Sequence, residues 1–119
     1  MENRIITIEN EIVHMPQSGI AWMTQHEITN LFGCFVSKVN SNIRSILKSG
    51  VLREADVCRT CYYQNGNFVE QYNLEMITAL AFRIQSKNAE VFRKWLTIKL
   101  SKSEIPEILI GSIQNLILN

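Results

Sequence analysis

The chain contains no apolar run near the ~20 residues that cross a bilayer, so no membrane-spanning helix is expected. Its first residues, Met1-Glu2-Asn3-Arg4, lack the basic-then-apolar pattern of a signal peptide. Three cysteines, an odd number, argue against a secreted disulfide framework. The expectation is a cytoplasmic protein. No Gly-rich phosphate loop, nucleophile elbow or paired-carboxylate signature occurs. No residue is therefore a candidate catalyst, and neither a cofactor nor a small-molecule substrate is expected. His14 and His26 have no carboxylate at a suggestive spacing and read as surface or strand residues. Cys58-x-x-Cys61 falls in a predicted strand, where positions three apart point to opposite faces. Only Cys34, His14 and His26 remain to complete a four-ligand site, so packing is the expected role and no metal is expected.

What is present suits one folded unit. The chain has 119 residues, near the size of a single domain, and 46% are hydrophobic, enough for one core. Residues 1–119 are read as one α+β domain without linker or repeat. The net charge of +1 hides an uneven distribution. Lys38, Arg44, Lys48 and Arg53 fall in a stretch from Ile28 to Arg53 that has no acid. Arg83, Lys87, Arg93, Lys94, Lys99 and Lys102 are opposed only by Glu90 over their span. Such a chain presents either a basic and an acidic face or simply two solvated helix surfaces.

Residues 4–15 alternate and are β-branched around Asn10, which predicts a β-hairpin. Thr24 and Glu27 form a capping-box pattern at the start of a helix whose apolar stripe is Ile28, Leu31 and Phe32 and whose end is Gly33. Ser37 is the expected cap of a second helix, over about 37–49, with Val39, Ile43, Ile46 and Leu47 inward and Gly50 closing it. Residues 57–72 predict a second hairpin turning at Asn65-Gly66, with one of Tyr62 and Tyr63 inward. Helices are expected over 74–118: one from Leu74 to Ile84, one capped by Ser86 with Val91, Trp95, Ile98 and Leu100 buried, and one starting near Pro106. Trp22 and Trp95 sit in apolar periodic contexts and read as core.

The two helices spanning 24–50, joined at a Gly-containing turn, have the layout of a helix-turn-helix. The following hairpin completes the order of a winged helix-turn-helix, here with an N-terminal β-hairpin and C-terminal helices. The outer side of the second helix offers Ser37, Lys38, Ser41, Arg44 and Lys48, hydroxyls mixed with cations. Such residues reach base edges and phosphates of double-stranded DNA. Thr24 and Gln25 on the first helix and Arg59 on the hairpin complete the candidate DNA-binding set. The alternative is a protein-interaction module that keeps the fold without binding DNA; exposure of both Phe35 and Val36 beside the second helix would favour it.

Trp22-Met23-Thr24-Gln25, Leu31-Phe32-Gly33, Ser37 and Ile43, followed by Tyr72-Asn73-Leu74 with Ile77, Phe82-Arg83-Ile84-x-Ser86 and Phe92-Arg93-x-Trp95, resemble motifs of the RhuM family of bacterial proteins. The last part is also loosely similar to DNA-binding domains of phage antirepressors. The resemblance covers about Trp22 to Leu100 and implies a DNA-binding module linked to mobile elements and transcription regulation. Phe35 and Val36 in the turn and Ser41 in the second helix depart from the family pattern, so any base-contacting set is particular to this chain. Ile105, Ile108, Leu109, Ile113, Leu116 and Ile117 form an apolar stripe over 105–118. It serves either a homodimer or packing over Val91 and Trp95 of the same chain.

Overall fold

The computed structural model describes residues 3–102. The segment 105–118, with its expected helix and dimer surface, lies outside the described residues. The N-terminal hairpin is as expected, with β1 (Thr7–Glu9) antiparallel to β2 (Ile12–His14). Both turn residues, Asn10 (φ 52°) and Glu11 (φ 63°), are left-handed. That is the type I′ geometry whose twist matches the flanking strands. The Glu11 carboxylate meets Lys87 Nζ at 3.1 Å, which ties this hairpin to the helix that begins at Lys87.

The sequence pattern holds no sign of β3 (Trp22–Thr24), because three residues are too few for alternation to show. Thr24 then caps α1 (Gln25–Phe32) by the expected reciprocal bonds. Glu27 N donates to Thr24 Oγ1 at 3.1 Å, and Thr24 N donates to Glu27 Oε1 at 2.8 Å. Gly33, at φ 63°, ends the helix in a conformation that an L side chain resists. The next helix, α2 (Val36–Ser49), departs from expectation at its start. Its N-cap is Phe35, which has no acceptor to offer, and Ser37 already lies inside the first turn. Gly50 closes it at φ 80°.

A single turn, α3 (Glu54–Val57), leads into β4 (Cys58–Tyr62) and β5 (Phe68–Asn73). The strands form an antiparallel sheet in the order β3-β5-β4. Met23, Tyr72 and Cys58 stand abreast in it, as do Thr24, Gln71 and Arg59. Period-two alternation separates these rows: the first packs against the helices, with Met23 and Tyr72 buried, and the second lies on the outer face.

The described residues end with α4 (Leu74–Ala81) and α5 (Lys87–Lys102). α4 is shorter than the expected Leu74-to-Ile84 segment. Met76 to Ala81 are all buried, as befits a helix surrounded by others. Ser86 caps α5 as expected, accepting from Ala89 N at 3.1 Å. The buried stripe of α5 is not Val91, Trp95, Ile98 and Leu100. Ala89 and Phe92 are buried, and Ile98 is 52% exposed. Two stripes of helical spacing coexist in this sequence, and Phe92 decides between them by packing edge-on to Phe32, ring centroids 5.9 Å apart.

Three further expectations are corrected. Tyr62 and Tyr63 are both exposed, because the β4–β5 hairpin extends past the core. Trp22 lies half-buried on the outer sheet face, under the Arg59 guanidinium at 4.3 Å. Trp95 is half-buried against Phe92, at 5.5 Å between centroids.

Candidate functional site

The outer surface of α2 follows from its buried one. Val39, Ile43 and Ile46 fix the inward side. Ser37, Ser41, Arg44 and Lys48 recur at spacings of four, three and four, so they stack along the opposite side. All four are exposed, as are the flanking Lys38 and Ser45. No acid occurs in α2. Among the described residues no hydrogen bond or ion pair engages the side-chain nitrogens of Lys38, Arg44 or Lys48. The Ser41 hydroxyl turns back to the Lys38 carbonyl, 3.3 Å away.

Five of the eight candidate residues, Ser37, Lys38, Ser41, Arg44 and Lys48, are therefore gathered on one surface. Gln25 borders it: its Nε2 donates to Asn40 Oδ1 at 3.3 Å and joins α1 to α2. Thr24 is committed to the cap of α1. Arg59 is elsewhere. It lies on the outer face of the sheet, stacked on Trp22, and its Nε donates to Gln71 Oε1 at 2.8 Å. The same oxygen accepts from Cys61 Sγ at 3.0 Å. Cys61 thus faces outward and Cys58 inward, as the strand reading of the CxxC pair requires.

Three of the second run of cations are already engaged. Lys87 pairs with Glu11 and Lys94 with Glu90, and Arg93 turns inward to the carbonyls of Ala81 and Ile84. Arg83 alone is shown joining the α2 surface. Its Nη1 donates to Ser45 Oγ at 3.1 Å, which places its charge beside Lys38 at the rim of a shallow depression. No local signal in the sequence could reveal this, since Arg83 reaches α2 only because α4 packs behind it.

Two apolar features border the cations. Phe35, 83% exposed, and Val36, 53% exposed, stand at the start of α2. On the hairpin, Tyr62, Tyr63 and Phe68 are exposed, with the Tyr62 and Phe68 rings 6.0 Å apart. The concavity between hairpin and helices is lined by Gln25, His26, Val36, Tyr63, Phe68 and Glu70, among others.

The Cys34 and Cys58 thiols are held protonated rather than activated. Burial pushes Cys34 up despite the Lys38 charge, and it pushes Cys58 up with help from Glu70 and Glu54. Ligand atoms of Glu54, Cys58 and Glu70 lie within 4.8 Å of one another, but the Tyr72 hydroxyl already donates to Glu70 Oε2 at 3.0 Å. Burial and this bond raise the Tyr72 phenol well above its ordinary value. No helix among the described residues is long and apolar enough to cross a membrane. No protein-family model matches the chain, and no curated protein or solved structure matches it either.

Proposed function

We propose that this chain is a winged helix-turn-helix domain that binds double-stranded DNA through the outer face of α2, acting in the cytoplasm as a regulator and not as an enzyme. The observation that carries the reading is the row Ser37, Ser41, Arg44 and Lys48, exposed along a helix without a single acid and flanked by Lys38 and Arg83. Hydroxyls near the helix start suit base edges, and the cations suit phosphates. The chain order supports it: a helix pair joined at Gly33 to Phe35, followed by a hairpin whose second strand lies between its first and β3. The RhuM-like motifs point the same way, although Phe92 and Arg93 among them serve packing and helix termination.

The test is binding of the full chain to random duplex DNA, read by fluorescence anisotropy at two salt concentrations. If Lys38, Arg44, Lys48 and Arg83 all meet phosphates, affinity falls about 150-fold between 50 and 200 mM salt, at a slope of about −0.9 per contact. No binding, or an affinity indifferent to salt, overturns the proposal.

A second reading is favoured by one observation, the exposure of both Phe35 and Val36. On this reading the α2 end is a protein-docking surface and DNA binding is lost. On the DNA reading the same side chains meet thymine methyl groups. A Phe35→Ser/Val36→Ser double variant separates the two. Weaker duplex binding supports contact with DNA. No duplex binding by the wild type, together with a protein complex that the double variant loses, supports docking.

A further inference from the structure

The β4–β5 hairpin has the position of a wing but not the chemistry of one that grips phosphate. From Thr60 to Phe82 the chain has no lysine or arginine, and its tip is Gln64-Asn65-Gly66-Asn67. The hairpin carries aromatics instead. Alternation along β5 puts Tyr72, Glu70 and Phe68 on the face that looks toward the helices, and along β4 it puts Cys58, Thr60 and Tyr62 there. Tyr72 is buried against the core, whereas Phe68 and Tyr62 outrun it, 61% and 75% exposed, as a tilted pair. The inward face of the sheet thus continues as an open aromatic ledge. Phe68 of this ledge and Tyr63 line a cleft of about 610 Å³ between hairpin and helices, together with Val36 and the polar edges of Gln25, His26 and Glu70; Tyr62 stands beside it, against Phe68.

Resting on the DNA-binding reading above, we infer that this ledge takes an unpaired nucleobase, so that the preferred ligand is a duplex flanked by single strand rather than a blunt duplex. Val36, at the start of α2, lines the cleft, so a polyanion held along the α2 cations runs on the helix that borders it. The cleft itself contains a carboxylate, Glu70, and no lysine or arginine among its lining residues, so it repels a phosphate. A base has the opposite requirements: a flat apolar face for Phe68 and Tyr62, and edge groups that hydrogen-bond to Glu70, Gln25 or His26. Stacking of this kind tolerates any base, because every base has a π-face. In an intact duplex the base faces are covered by their neighbours, and the ledge has nothing to stack on.

The experiment measures the affinity of the full chain for a blunt duplex and for the same duplex with a ten-nucleotide single-stranded tail. It compares the wild type with Tyr62→Ala/Phe68→Ala and with Arg44→Ala, each checked by thermal melt. Both aromatics are exposed, so the double variant is expected to melt with the wild type. The wild type should bind the tailed duplex about tenfold tighter or more, a gain typical of one stacked base. The double variant should lose that gain and keep its affinity for the blunt duplex, whereas Arg44→Ala should weaken both ligands. Equal wild-type affinities for the two ligands, both weakened by Arg44→Ala, overturn the ledge assignment and leave the DNA reading standing. Failure to bind either ligand overturns both. Unchanged DNA binding by the double variant, together with loss of a self-association present in the wild type, reassigns the aromatics to a protein contact.

Discussion

Replacing Arg93 tests whether the Phe92-Arg93-x-Trp95 motif is a device of folding. Arg93 leaves α5 and reaches under the end of α4, where Nη1 donates to the carbonyls of Ala81 at 2.6 Å and Ile84 at 3.1 Å. Ala81 ends α4, so its carbonyl is among those that a helix terminus leaves without an internal partner, and the Ile84 carbonyl lies in the turn that follows. A hydrogen bond from a charged donor contributes about 1.5–3 kcal/mol. A cation near a helix C-terminus adds about 0.3–1 kcal/mol. Arg93→Met keeps the aliphatic stem and removes the fork. Because the site is half-buried, water recovers part of the loss, and the net cost is set at about 2 kcal/mol. At roughly 4 °C per kcal/mol for a domain of this size, the midpoint of thermal unfolding should fall by about 8 °C. Arg93→Lys should fall less, since an ammonium keeps the charge and satisfies one carbonyl. The assay is a melt followed by far-ultraviolet circular dichroism, with urea unfolding as a check. A midpoint within about 2 °C of wild type for Arg93→Met would refute the reasoning, because two charged bonds, one to a helix end and one to the turn after it, cannot be worth so little.

Arg44→Ala should weaken duplex binding by about 1–3 kcal/mol if it reads a base, and reduce the salt slope by about one if it meets a phosphate; a direct titration distinguishes the two, and unchanged affinity removes Arg44 from the site. Gly33→Ala should cost about 1–2 kcal/mol in urea unfolding, because φ 63° places the new Cβ in a left-handed backbone. Cys58, pushed up by burial and by Glu70 and Glu54, keeps its proton in the fold when the unfolded chain has lost it. Stability should therefore decline as pH rises past the ordinary thiol value of 9.0 and on through the higher folded value, and Cys58→Ala should flatten that part of the pH–melting curve.

The features legible in the sequence are those whose cause is local. The Thr24–Glu27 box, the left-handed Gly33 and Gly50, the Asn10 and Asn65-Gly66 turns and the inward stripe of α2 each depend on a few neighbouring residues, and each is in place. What was hidden depends on distant partners. β3 exists because β5 offers it an edge, and Arg83 reaches α2 because α4 packs behind that helix. Arg59 shows the same limit within the site. Its charge and its place on the hairpin suggested a ligand contact, but the register of β4 on β5 sets it beside Gln71, on the face away from α2. On α5, periodicity alone could not choose between Ala89/Phe92 and Val91/Trp95 as the inner stripe, and the shape of Phe32 decided it. The exposure of both Tyr62 and Tyr63 was unreadable because alternation assigns faces but does not say where the core stops.

The missing cap on α2 makes its first turn a natural reporter. Phe35 supplies a carbonyl to Lys38 N and Val39 N but no side-chain acceptor for the amides that precede them. Orphan amides at an open helix start trade their protons readily with solvent. In heavy water the amides of Val36 and Ser37 should thus exchange among the first of α2, while those of Ile43 and Ile46, inside the hydrogen-bonded helix, persist. An occupant settling on this end of the helix would slow the early pair and leave the late pair unchanged, which makes the least tethered part of α2 a built-in timer for contact.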